Sequence, residues 1–174
     1  MVICSAAGPK HGRTGFGVGR GTFDAVSTAS HTESATTTSP EQTAGLAVEF
    51  AQKLRAGDVV VLRGELGSGK TVFVRGAAAA LGYAGRVTSP TFAIGNVYPA
   101  EPNEIAHLDL YRLAEIDIGD EAVLEDFLTP DRISFIEWPH DELAGNERLR
   151  AVVSFEHAGE DSRDIQIDWI GGAE

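Results

Sequence analysis

The chain has 174 residues and a mass of 18.4 kDa, the size of one domain with or without a tail. Lys and Arg total 14 against 26 Asp and Glu, a formal charge of −12, so the chain lacks the surplus of cations that displaces counterions from nucleic-acid phosphates. Its single cysteine, Cys4, excludes an internal disulfide framework. No apolar run approaches the roughly 20 residues that cross a bilayer, and no secretory h-region follows the start, so the expectation is a soluble cytoplasmic protein.

Residues 1–38 are rich in Gly, Ser, Thr and Ala, with Phe16 and Phe23 as their only aromatics. Such a segment has little apolar surface to offset the entropy of ordering, and it reads as a disordered N-terminal tail. Its charged residues (Lys10, Arg13, Arg20, Asp24 and Glu33) form no patch. Residues 39–174 then form the expected folded domain. Ser39-Pro40-Glu41-Gln42 has the pattern of a helix cap, Leu46, Phe50 and Leu54 recur at helical spacing, and Gly57 ends the helix. Val59-Val60-Val61-Leu62 is a continuous apolar run suited to a strand covered on both faces. A second helix is predicted over about Thr71–Leu81.

Further on, a strand is predicted from Thr91 to about Tyr98, another over Ile105–Leu110, a short helix over Asp120–Leu128 and a strand over Ile133–Glu137. In Arg148–Glu156 and Asp164–Ile170, apolar and polar residues alternate across a turn containing Gly159, which predicts a half-solvated antiparallel hairpin. The expected fold is α/β: a P-loop NTPase-like three-layer arrangement with a mixed β-sheet and a C-terminal antiparallel hairpin.

The chemistry is concentrated at Gly64-Glu65-Leu66-Gly67-Ser68-Gly69-Lys70-Thr71, which satisfies G-x-x-x-x-G-K-[ST] between a buried strand and a helix. The glycines let backbone N–H groups curl toward phosphate oxygens, and the helix N-terminus adds its positive end. Lys70 reaches the outer phosphates, and the Thr71 hydroxyl is suited to Mg²⁺. Two acids end apolar runs, Asp109 and Glu137, where open α/β sheets bind their ligands. Either can hold the metal while the other directs water. His107 shares a strand face with Asp109 and reads as a core histidine. Thr88-Ser89-Pro90-Thr91 occupies the place of a switch segment. The acids at Glu115, Asp117, Asp120, Glu121, Glu125 and Asp126 read as a solvated face.

In order along the chain stand the phosphate loop with Phe73-Val74-Arg75-Gly76, then Val87-Thr88-Ser89-Pro90-Thr91-Phe92, His107-Leu108-Asp109-Leu110-Tyr111-Arg112 and Ile136-Glu137-Trp138-Pro139. Together these blocks closely resemble the TsaE (formerly YjeE) family of small bacterial ATPases, from about Ser39 to Asp141. The resemblance implies an ATPase that uses ATP and Mg²⁺ in threonylcarbamoyladenosine modification of tRNA, resetting the TsaB–TsaD transferase pair, which would supply the grip on tRNA. It implies catalytic roles for Lys70, Asp109 and Glu137, and Mg²⁺ contacts from Thr71, Asp109 and Glu137. Nucleotide contacts are implied for Glu65, Leu66, Gly67, Ser68, Gly69, Lys70, Thr71, Val72, Thr91 and Trp138. The chain departs from the family pattern at Val72, where a second Thr is common, and at His140, where an acid is frequent. The alternative is a P-loop small-molecule kinase, which would need a cationic lid; the chain has no Lys after Lys70, and its later arginines are dispersed. No N-K-x-D guanine motif is present, which favours ATP over GTP.

Overall fold

The computed structural model describes residues 5–6, 29–90, 94–111, 120–138, 143 and 146–171. The elements in chain order are β1 (Ser5–Ala6), β2 (Ala29–Thr37), α1 (Pro40–Ala51), β3 (Val59–Arg63), α2 (Lys70–Ala80), β4 (Gly95–Tyr98), β5 (Glu104–Asp109), α3 (Asp120–Phe127), β6 (Arg132–Glu137), β7 (Leu149–His157) and β8 (Arg163–Ile170). They form an eight-stranded mixed sheet in the order β1-β2-β8-β7-β3-β6-β5-β4. The central strands β7, β3, β6 and β5 run parallel, while β4 at one edge and β8, β2 and β1 at the other are antiparallel to their neighbours.

Period-2 alternation sorts each central strand into two cores. Val60, Leu62, Ile105, Ile133 and Phe135 face a layer containing Leu46 and Phe50 of α1 and Phe73 and Val74 of α2. Val59, Val61, Ala106, Leu108 and Ile136 face the opposite layer, against which Leu124 and Phe127 of α3 pack. The result is the expected three-layer α/β arrangement. α1 starts as predicted: Ser39 Oγ accepts the Gln42 N–H at 3.3 Å, and the Gln42 side chain reaches back to the Thr38 N–H at 2.8 Å. The helix ends at Ala51, so Leu54 lies beyond it in the following turn, still buried.

Two expectations are corrected. The tail assigned to residues 1–38 does not extend to Thr37, because Ala29–Thr37 form β2, and Ser5–Ala6 pair with it; residues 1–4 and 7–28 lie outside the described residues. β2 is held by polar bonds instead of an apolar stripe. Thr32 and Thr36 donate to Asp168 and Asp164, each at 2.7 Å, while Glu33 accepts from Lys53 at 2.7 Å and from the Trp169 indole at 3.0 Å. The hairpin is also less regular than predicted. Val59 pairs with Leu149 but Val60 pairs with Ala151, so Arg150 is bulged out. The bulge sends Leu149 to the α3 side with Val152, while Ala151, Val153 and Phe155 face α1 and α2. β7 is consequently buried on both faces over its first half.

Candidate functional site

The phosphate loop links the end of β3 to α2. Gly64, Gly67 and Gly69 have φ of 146°, 76° and 109°, a region that side chains rarely adopt. At Gly64 crowding adds to this: a Cβ there would sit 2.6 Å from Ser68 Oγ and 2.8 Å from the Phe155 carbonyl. Gly69 is the N-cap of α2 and supplies no side-chain cap, which leaves first-turn N–H groups of the helix available to an anion. Ser68 is fully buried within the loop, and its hydroxyl finds no partner among the described residues.

Lys70 is the first residue of α2, and its side chain is only 5% exposed. Its Nζ donates to the carbonyls of Gly64 at 2.9 Å and Glu65 at 3.0 Å, so the ammonium is tucked into its own loop. Glu137 Oε2 stands 3.6 Å from the same nitrogen, and the Trp138 ring centroid lies 5.2 Å from it. The acids come from adjacent parallel strands in register, Asp109 of β5 opposite Glu137 of β6, both buried on the α2 side. Asp109 Oδ1 accepts the Tyr111 N–H at 3.1 Å, and its backbone N–H donates to the Ile94 carbonyl at 2.8 Å. Ile94 and Trp138 carry positive φ of 61° and 55°, so both acids stand beside a strained backbone position. The Tyr111 and Trp138 rings lie 5.4 Å apart at the rim.

The structure therefore gathers Ser68, Lys70, Glu137 and Trp138 around the loop, with Asp109 the strand neighbour of Glu137. Thr71 and Val72 follow in the first turn of α2 and are half-buried. Glu65, Leu66 and Gly67 form the exposed outer part of the loop, with Leu66 86% exposed. Thr91 lies outside the described residues. One participant that sequence reasoning assigned to the core is His107: it is fully buried, but its Nε2 lies 2.9 Å from Glu137 Oε1. The available signal was its strand face, shared with Asp109. Among the described residues no cage of three or more His, Cys, Asp or Glu forms, and no helix is long and apolar enough to cross a membrane. A cleft of about 360 Å³ between the C-terminal ends of α1 and α2, lined by Leu54, Leu81 and Pro102 among others, includes none of these site residues.

Residues 37–165 match the family described as "Threonylcarbamoyl adenosine biosynthesis protein TsaE". The chain belongs to the TsaE family. It is 35% identical over 137 residues to the Bacillus subtilis tRNA threonylcarbamoyladenosine biosynthesis protein TsaE, covering 78% of this chain and 84% of that protein. The Streptomyces coelicolor TsaE is 37% identical over 129 residues, covering 70% and 86% respectively. The crystal structure of Bacillus subtilis YdiB superposes with a TM-score of 0.63 at 29% identity, covering 80% of this chain and 86% of that one. TsaE membership associates the chain with tRNA threonylcarbamoyladenosine biosynthesis, and the nucleotide-binding loop accords with both family and fold.

Proposed function

We propose that this TsaE-family chain is an ATPase that uses ATP and Mg²⁺ to reset the TsaB–TsaD pair between rounds of tRNA modification in the cytoplasm. The observation that carries the reading is the buried carboxylate of Glu137, 3.6 Å from the Lys70 ammonium at the mouth of the phosphate loop. A loop without such an acid binds nucleotide; an acid beside it can direct water at the outermost phosphorus.

The donor set fits a magnesium nucleotide. The Thr71 hydroxyl and the Asp109 and Glu137 carboxylates are hard oxygen donors, and the buried Ser68 hydroxyl adds an unpaired polar atom to the cradle. Magnesium supplies charge neutralisation on the phosphate oxygens. The loop N–H groups and Lys70 bind and orient the triphosphate. Asp109, braced by the Tyr111 N–H, joins Thr71 as a metal-side ligand. Glu137 accepts a proton from the attacking water as the new phosphorus–oxygen bond forms and the bond to the bridging oxygen of the ADP leaving group breaks. Trp138 and the backbone of residues 65–69 line the nucleotide, with Val72 behind them, and Thr91 serves as a switch residue sensing the outer phosphate. The acidic surface leaves contact with tRNA to basic partner proteins.

The test is phosphate release from labelled ATP by the full chain, alone and with TsaB and TsaD. Label appearing as inorganic phosphate, at a rate raised by the partners, is the expected result. Label transferred to a small-molecule acceptor would instead establish a kinase.

A further inference from the structure

His107 is a fully buried ionisable side chain, and packing alone does not account for its bond to a site carboxylate. The register pairs His107 with Phe135 and Asp109 with Glu137, so the imidazole sits one pleat behind the acid on the same face and reaches forward to it. The two Glu137 oxygens are thereby divided: Oε1 lies 2.9 Å from His107 Nε2, and Oε2 lies 3.6 Å from Lys70 Nζ.

We infer that His107 is the positioning residue of Glu137: its Nε2–H holds Oε1, so that Oε2 alone remains for Lys70 and the reacting water. This rests on the reading of Glu137 as the water-directing acid. A carboxylate oxygen accepts, so in a neutral ring the proton lies on Nε2 and Nδ1 is left as an acceptor. Nδ1 has no partner among the described residues. The opposite tautomer would set a lone pair against the carboxylate and bury an unpaired N–H. The terminal torsion of a glutamate is soft, so without the imidazole both oxygens are free to swing onto the Lys70 ammonium. That would misdirect the acid and leave the nucleotide cradle standing. Outer-shell groups of this kind are typically worth about 10- to 100-fold in activity.

The test compares full-length His107→Gln, His107→Asn and His107→Leu with the unaltered chain. A Gln amide nitrogen falls near the Nε2 position, whereas Asn falls short of Glu137. Gln should retain single-turnover hydrolysis within about 3-fold, while Asn and Leu fall about 10- to 100-fold at unchanged ATP affinity. Should Leu fail to fold, the Gln–Asn pair still decides. Independently of activity, long-range proton–nitrogen spectra of the nucleotide-free chain should show His107 as a single Nε2–H tautomer. An Nδ1–H tautomer, or Gln turning over no faster than Asn, would overturn the inference. Glu137→Gln separates the two levels. If that variant turns over normally, the reading of Glu137 fails. If it is slow while His107→Asn is normal, only the positioning role fails.

Discussion

Two parts of this molecule use the same four residue types in opposite ways. At the β2–β8 edge, Glu33 faces Lys53 at 2.7 Å and His31 at 3.4 Å, with Lys53 5.2 Å from the centre of the Trp169 ring. At the phosphate loop, Glu137 faces His107 at 2.9 Å and Lys70 at 3.6 Å, with Lys70 5.2 Å from the centre of the Trp138 ring. The difference is solvent. Lys53 and His31 are about half exposed, so water screens the first network and its charges are easily satisfied. Lys70, Glu137 and His107 are almost wholly buried, so each charge there acts at low screening and must be answered by a neighbour or a ligand. Residue kit alone does not distinguish a fastening from a reaction site; burial and unpaired polar atoms do.

The comparison can be broken by parallel substitutions. The largest effect is expected at the two glutamates: Glu137→Gln should slow ATP hydrolysis by about 10²- to 10⁴-fold with nucleotide still bound, whereas Glu33→Gln leaves turnover unchanged. Phosphate-release rates beside equilibrium binding measure both. Next come the lysines. Lys70→Ala should weaken ATP binding by about 10- to 100-fold, and Lys53→Ala should leave it unaltered, as titration calorimetry would show.

A third substitution strikes the scaffold common to both networks. Gly76 of α2 packs so closely on the Ala44 backbone of α1 that an added Cβ collides with the Ala44 carbonyl. Gly76→Ala should cost about 1–3 kcal/mol or more in denaturant unfolding, because backbone cannot yield as a side-chain tip can.

The smallest effect concerns pH. Partial burial pushes the Glu33 carboxyl up, but hydrogen bonds and charge from Lys53, the Trp169 indole and His31 more than offset this and hold it below its ordinary value of 4.5. Its contribution is therefore complete above that value and is lost as pH falls through the lower folded one. Glu33→Gln should cost at most about 1 kcal/mol at neutral pH, given the exposure of Lys53, and the gap should close in acid; melting temperatures at the two conditions check it.

The parts legible in the sequence were those governed by local rules. The Ser39 cap, the apolar run of β3, the glycines of the phosphate loop and the strand-end placement of Asp109 and Glu137 each follow from a short pattern. β2 escaped because its hold on the sheet comes from threonine and glutamate bonds to β8, more than 120 residues away in the chain, and leaves no apolar alternation to read. The Arg150 bulge escaped for a related reason: the alternation of Leu149 with Ala151 looks unbroken until the partner strand is known. His107 was legible as buried, but its tie to Glu137 depends on the register of two strands.

The recruitment of β2 bears on how this chain can be shortened. A version beginning at Ser39 keeps every group of the phosphate loop, yet it strips the ladder partner from β8 and bares a row of amides and carbonyls along an eight-residue strand. Such an open margin invites strand exchange between copies, so shortened protein would be prone to self-association even with an intact nucleotide pocket.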